Sequence, residues 1–141
     1  MEAAFIKNVL VLCTGNSCRS ILAEALINQL GEGRFTAVSA GSDPAGYVHP
    51  GSIAALGRHR ISVGEPRSKS WDEFANRRFD LVITVCDRAE RESCPLFLGN
   101  FERKHWSTPD PAGVEGTDED VAEAFDSALM MLRNRIEQDL L

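Results

Sequence analysis

The chain has 141 residues, of which 43% are hydrophobic, and 21 acidic against 15 basic residues give it a net charge of −6. This length predicts a single domain over residues 1–141 that buries a hydrophobic core. The charge argues against nucleic acid or an acidic membrane as a partner, because there is no basic surplus to release counterions from phosphates. No apolar run approaches the about 18 residues of a membrane-spanning helix, and MEAAFIKNV lacks the features of a signal peptide, so we expect a cytoplasmic protein.

The first half of the chain alternates short apolar runs with helical patterns. The apolar run Lys7–Leu12 predicts a buried strand, and the helical spacing that follows predicts a helix over about 17–30, ended by glycines. Residues 34–42, RFTAVSAGS, predict a second strand. Residues 52–60 predict a short helix, with Pro50 near its start.

The second half continues the same alternation. A short helix is predicted near Ser70, a strand over 79–86, a short strand near 105–106 and a closing helix over about 118–139. The predicted inner face of the closing helix is formed by Val121, Phe125, Leu129, Leu132 and Ile136. Strands that alternate with helices predict an α/β fold, with a four-stranded parallel sheet and helices on both faces.

The polar loop between the first strand and the first helix has a Cys-x5-Arg spacing, from Cys13 to Arg19. Such a loop is a natural anion site, because the first amides of the helix have no intrahelical partners and the macrodipole adds partial positive charge. Cys13 would face the centre of a tetrahedral oxyanion while Arg19 holds its oxygens bidentately. The residues expected to bind the oxyanion are Thr14, Gly15, Asn16, Ser17, Cys18 and Arg19.

The positive field of this loop predicts that Cys13 is a thiolate. A helix N-terminus and a cation lower a cysteine pKa from about 8.5 to about 3.5–7.5, and Ser20 is placed to donate a stabilising hydroxyl hydrogen bond. Gly15 and Asn16 tolerate the left-handed or otherwise unusual dihedrals that a nest of inward amides requires. The alternative is that Cys13 is only a small buried apolar residue, and the residues around it favour the reactive thiol.

Three residues further along the chain are candidates to act together with this loop. Cys86 ends the third predicted strand, Cys94 follows after seven residues, and Asp110 lies in a turn before a proline. In the cytoplasm, cysteines are expected to be catalytic, redox-active or metal-binding. CTGNSCRS, TVCDRAERESCP and HWSTPDPAG together resemble the arsenate reductases that are built on the fold of the low-molecular-weight protein tyrosine phosphatases. The resemblance runs from Val9 to Gly113 and includes the closing helix.

This resemblance implies a reaction on arsenate, a phosphate-like oxyanion. Cys13 would attack the arsenic while Asp110 protonates the departing oxygen. Cys86 would then attack Cys13 as arsenite leaves, and Cys94 would attack Cys86 and carry the disulfide toward the surface. The family supplies the order of the three thiols and the external reductant, thioredoxin or a glutathione and glutaredoxin system. We expect no bound cofactor and a monomer.

Other functions stay open. A phosphatase of tyrosyl or small phosphates would use the same loop through a phosphocysteine, and an oxyanion sensor would bind without a Cys13 adduct. The tyrosine phosphatase is disfavoured because phosphatases of this fold commonly carry tyrosines after the Asp-Pro pair, whereas Ala112 follows Pro111 here and Tyr47 is the only tyrosine. For Asp110, the alternative to an acid is a turn-forming residue.

No metal site is expected from this sequence. Gaps of four and seven residues between cysteines do not suit zinc. Some relatives bind potassium through oxygen ligands that would correspond to Asn16, Glu24 and Ser39 and through an aspartate where this chain has Lys69. A lysine would compete with the cation, so we expect no potassium dependence. Cys18 is interpreted as a buried residue at the helix start, with a redox side role left open.

Overall fold

A computed structural model of the chain describes residues 6–87 and 101–141. Within them, four strands form one parallel sheet: β1 (Lys7–Leu12), β2 (Phe35–Ala40), β3 (Leu81–Thr84) and β4 (Glu102–His105). Their order across the sheet is β2-β1-β3-β4, so β1 is paired on both sides. The predicted four-stranded parallel sheet is confirmed.

In the part of the chain that the structure describes, three α-helices connect or follow these strands: α1 (Arg19–Leu30), α2 (Pro50–Arg58) and α3 (Asp118–Asp139). The predicted helix near residue 70 is a short 3-10 helix (Trp71–Phe74), and a second one (Pro111–Gly113) follows β4. The first helix begins two residues later than predicted, because residues 14–18 form the polar loop. None of the described helices is both long and apolar enough to cross a membrane.

The sheet is covered on both faces, and β1 shows this most directly. Val9 and Val11 belong to a large buried cluster with apolar residues of α1, α2 and α3. The intervening Leu10 and Leu12 belong to a smaller cluster on the other face, which includes Phe74 of the 3-10 helix. The buried residues of α3 are Phe125, Ala128, Leu129, Leu132 and Ile136, while the predicted Val121 is partly buried against the same cluster.

The parallel register brings three connecting segments to one edge of the sheet. Leu12 is paired with Thr84, and Thr84 with His105, so the residues after β1, β3 and β4 leave the sheet side by side. The segment after β4 begins with Trp106, which is fully buried and donates from Nε1 to Asp139 Oδ2 at 2.8 Å. This edge is where open α/β sheets bind their ligands.

Two glycines of α2 differ in how closely α3 packs against them. A Cβ added at Gly51 would lie 2.5–2.8 Å from ring atoms of Phe125, whereas one at Gly57 would meet nothing within 4 Å. We predict that Gly51→Ala lowers the free energy of unfolding by about 1–3 kcal/mol, since Phe125 is fully buried. Gly57→Ala should leave it unchanged or raise it by up to about 1 kcal/mol. Urea unfolding measures both, and equal effects would contradict this packing.

Candidate active site

The loop between β1 and α1 curls with its carbonyl groups turned outward. The carbonyls of Thr14, Gly15 and Ser17 accept hydrogen bonds from outside the loop. The carbonyl of Thr14 accepts from Asp43 N at 3.0 Å. That of Gly15 accepts from Ala45 N at 2.9 Å and from Ser68 Oγ at 3.0 Å. That of Ser17 accepts from His49 N at 3.2 Å and from Ser52 Oγ at 2.9 Å. Because a trans peptide points its N–H opposite to its carbonyl, the amides that follow these carbonyls face inward. The loop therefore forms the predicted nest of amides.

Asn16 holds the loop from behind with a side chain that is fully buried. Its φ of 47° lies in the left-handed region, as its residue type suggested, whereas Gly15 has no positive φ. Its Nδ2 donates to Ser20 Oγ at 2.8 Å and to Ser39 Oγ at 2.9 Å, and its Oδ1 accepts from Lys69 N at 2.9 Å. Every polar group of this amide is engaged, which fixes the turn of the loop.

Arg19, the first residue of α1, lies beside the loop with its guanidinium largely buried. Its Nη1 donates to the carbonyl of Thr108 at 2.9 Å, and its Nη2 lies 3.8 Å from Asp110 Oδ2. Its Nε is buried and has no hydrogen-bond acceptor among the residues that the structure describes. A buried N–H without an acceptor costs about 1–3 kcal/mol, and an oxyanion bound by the loop would satisfy it.

Asp110 closes the turn that follows β4. Its Oδ1 accepts from Ala112 N at 3.0 Å and so caps the 3-10 helix Pro111–Gly113. Its Oδ2 faces Arg19, and its side chain is 50% exposed at the site. The turn-forming alternative is thus present in the structure, and proton transfer from Asp110 to a bound substrate stays a prediction.

Cys13 and Cys86 come together at the ends of β1 and β3. Their exposed fractions are 4% and 3%, and their side chains are in hydrogen-bonding contact. Thr14 Oγ1 lies 3.5 Å from Cys86 Sγ. The hydrogen bond with Cys86 and burial raise the pKa of the Cys13 thiol, although Arg19 and the Gly15 amide act to lower it. The lowered pKa predicted from the loop alone is wrong for this arrangement, because a second buried thiol shares the site.

Cys18 and Ser20 lie at the start of α1. Cys18 is buried at the N-cap position without a side-chain capping bond, and burial raises the pKa of its thiol, while hydrogen bonds with Ser52 and Ser17 lower it. This matches the interpretation of Cys18 as a buried residue at the helix start. The Ser20 hydroxyl accepts from Asn16, so its own proton can still be donated. Stabilisation of a Cys13 thiolate by Ser20 stays a prediction.

An open cavity of about 640 Å³ lies at this edge of the sheet, next to Arg19, Cys86 and Asp110. Its lining residues are Thr14, Gly15, Arg19, Cys86, Asp87, Ser107, Thr108, Pro109 and Asp110. The cavity thus joins residues from all three segments at this edge of the sheet. The prediction for Cys94 falls outside the described residues.

Sequence reasoning missed the residues that contribute through backbone atoms or through neighbouring strands. Thr108 holds Arg19 with its carbonyl group, which no residue type signals. The contact between Thr14 and Cys86 depends on the pairing of β1 with β3. Among residues 6–87 and 101–141, no group of three or more His, Cys, Asp or Glu side chains is arranged to hold a metal ion.

A buried ion pair lies behind the loop. Lys69 Nζ is 3.9 Å from Glu24 Oε1, and the same carboxylate oxygen accepts from Ser39 Oγ at 2.9 Å. Burial lowers the pKa of Lys69 and raises that of Glu24, while the attraction between the two charges opposes both shifts. The ammonium group thus lies beside Glu24, one of the three oxygen-bearing side chains that were considered for potassium.

The family model described as low molecular weight phosphotyrosine protein phosphatase matches residues 8–140. An arsenate reductase of Halalkalibacterium halodurans is 39% identical over 114 residues, which make up 81% of this chain and 81% of that protein. An arsenate reductase of Staphylococcus aureus strain N315 is 38% identical over 110 residues, 77% of this chain and 82% of that protein.

A solved structure is similar to this one over nearly the whole chain. It is that of an arsenate reductase in the phosphate binding state, which matches with a TM-score of 0.71 at 27% identity. The match covers 94% of this chain and 95% of that one. The predicted fold class is therefore confirmed, and the chain belongs to the low molecular weight phosphotyrosine protein phosphatase family, in the branch that contains the arsenate reductases.

Proposed function

We propose that the protein is an arsenate reductase that converts arsenate to arsenite with thiols as the source of electrons. The observation that carries this proposal is a second buried thiol, that of Cys86, which contacts Cys13. Cys13 begins the loop that would bind the oxyanion. A hydrolytic phosphatase has no need of such a thiol, whereas a reductase needs two electrons. The relatives named arsenate reductases support the same function.

The first step forms a covalent arsenic adduct. The inward amides of the loop and Arg19 bind the oxygens of arsenate, and the buried Nε of Arg19 gains an acceptor. Cys13 transfers its proton to an oxygen of the bound arsenate, attacks the arsenic and displaces another oxygen. Asp110 protonates that oxygen as the arsenic–oxygen bond breaks, so that it leaves as water.

The second step transfers the electrons. Cys86, deprotonated, attacks the sulfur of Cys13, and the electron pair of the sulfur–arsenic bond stays with the arsenic, which is thereby reduced and leaves as arsenite. Two thiols are oxidised to one disulfide, so the electrons balance. The hydroxyl of Thr14 lies beside Cys86 Sγ and can donate to its thiolate.

The third step moves the disulfide out of the site. Cys94 attacks Cys86, which restores the Cys13 thiol, and an external thiol system then reduces the disulfide between Cys86 and Cys94. We propose thioredoxin or glutathione with glutaredoxin as that system, no bound cofactor, a monomer and a cytoplasmic location.

A coupled assay tests the proposed function. We expect arsenate-dependent oxidation of NADPH when the protein is supplied with thioredoxin and its reductase, or with glutathione, glutaredoxin and glutathione reductase. Running the two systems separately identifies the reductant, and Cys13→Ser serves as the inactive control. The absence of arsenate-dependent oxidation in both systems would contradict the proposal.

Phosphatase activity is the second candidate, which the family model favours. The loop, Arg19 and Asp110 are sufficient for a phosphocysteine, so we expect residual turnover of small phosphate esters. Turnover that Cys86→Ser leaves unchanged, in a protein without arsenate reduction, would establish a phosphatase instead. Tight oxyanion binding without a Cys13 adduct would indicate a sensor.

Removing single thiols should stop the relay at successive steps. Cys86→Ser should stall the protein after the Cys13 adduct has formed, and Cys94→Ser should leave a disulfide between Cys13 and Cys86. Both products are identified by mass mapping after one turnover with arsenate. Cys18→Ser is the matched control and should not change the product. A main product disulfide that contains Cys18 would show that the proposed order is wrong.

We also predict that activity does not depend on potassium. The Lys69 ammonium is buried next to Glu24, so a potassium ion near that carboxylate would meet an existing positive charge. Initial rates in potassium chloride and in sodium chloride of equal ionic strength should give the same KM for arsenate. A clear rise in arsenate affinity that is specific to potassium would count against this prediction.

A further inference from the structure

A hydrogen-bonded bridge spans the chain around Cys86. Thr84, the last residue of β3, lies two positions before Cys86, and Asp87 follows it directly. His105 of β4 joins the two: its Nδ1 lies 2.7 Å from Thr84 Oγ1, and its Nε2 lies 2.9 Å from Asp87 Oδ1. Thr84 and His105 are also partners in the register of β3 with β4. One ring therefore ties both ends of the segment that carries Cys86.

The chemistry of the three groups sets the direction of both hydrogen bonds. An ionised Asp87 carboxylate only accepts, so His105 Nε2 carries the hydrogen that it donates. In the neutral ring, Nδ1 then accepts from the Thr84 hydroxyl. Both ring nitrogens are engaged, and the side chain of His105 is only 23% exposed. The bridge thus fixes the ring relative to β3 and to the residue after Cys86.

Two contacts of the Cys86 side chain are with Thr14 and with Cys13. The distance of 3.5 Å to Thr14 Oγ1 is long for a strong hydrogen bond, and the contact with Cys13 is between two side chains on different segments. Attack of one sulfur on another requires alignment, and a displacement of about 1 Å can cost about 10²-fold in rate. The backbone before Cys86 is held at Val85, whose N donates to Leu12 O at 3.0 Å and whose carbonyl accepts from Thr108 N at 3.1 Å. The bridge adds a side-chain tie to Asp87, the residue after Cys86.

We propose that His105 is a positioning residue for Cys86, which holds Thr84 and Asp87 so that the Cys86 sulfur stays aligned with Cys13. The proposal rests on the proposed arsenate reductase function for its catalytic consequence. His105 belongs to β4, on the side of β3 away from β1, so its effect is expected on the second step. Asp87 also lines the cavity, so arsenate affinity is measured separately from the disulfide rate.

Single-turnover kinetics in a Cys94→Ser background separate the two steps. We expect His105→Ala to slow formation of the disulfide between Cys13 and Cys86 by about 10- to 100-fold, with the affinity for arsenate unchanged. His105→Gln, which can restore one of the two hydrogen bonds, should recover part of the rate. Quenched samples analysed by mass spectrometry report the disulfide, and arsenite release is measured in parallel.

His59→Ala is the matched control. His59 is 28% exposed and pairs through its Nε2 with an aspartate, Asp126, at 3.2 Å, but it lies after α2 and away from Cys86. This variant should leave the rate of disulfide formation unchanged. Equal rates in His105→Ala and in the parent protein would overturn the proposal, as would an equal loss of arsenate affinity and of disulfide rate.

A second measurement does not depend on arsenate. Oxidised glutathione converts the two thiols to their disulfide and is itself reduced to two glutathione molecules, so the equilibrium reports the effective concentration of Cys86 at Cys13. In a Cys18→Ser, Cys94→Ser background, we expect His105→Ala to lower this effective concentration by about 10-fold or more. An unchanged equilibrium would overturn the positioning role. If the parent protein does not reduce arsenate, the proposed function fails, while this equilibrium still tests His105.

Discussion

The buried side-chain amide of Asn16 is the constraint on which the site depends. It lies at the left-handed turn of the loop, donates to two serine hydroxyls and accepts from the backbone of Lys69. Since a buried polar group that loses its partner costs about 1–3 kcal/mol, the loop cannot relax to another conformation cheaply. The outward carbonyls, the inward amides and the direction of Cys13 all follow from a turn that is held in this way.

The same loop can serve hydrolysis or reduction, and in the proposed reaction Cys86, two residues after β3, decides between them. The register sets Leu12 opposite Thr84, so Cys13 and Cys86 emerge together at the edge of the sheet. In a phosphatase, water attacks the covalent adduct at its central atom. In the proposed reaction a thiol replaces water and attacks the sulfur instead, which changes hydrolysis into electron transfer. Burying two thiols together also explains why the pKa of Cys13 is raised in the free protein.

The sequence correctly predicted the elements whose structure depends on local patterns. The bounds of α3 agree with prediction because its apolar periodicity is long and regular and Thr117 caps its start. Those of β1 agree because a short apolar run ends at the polar loop. α2 begins at Pro50 rather than at residue 52, because the His49 side chain caps it by accepting from Gly51 N. The direction of the Cys13 pKa shift and the bridge at His105 could not be predicted, since both depend on residues that only strand pairing brings together.

The electrostatics of the site must be local, since the chain as a whole carries a net charge of −6. The Lys69 ammonium is balanced by Glu24, so Arg19 and the loop amides supply the attraction for an anion. In the free protein, Arg19 faces Asp110 at 3.8 Å. An oxyanion held by the loop amides would lie next to both groups and compete with Asp110 for the guanidinium of Arg19.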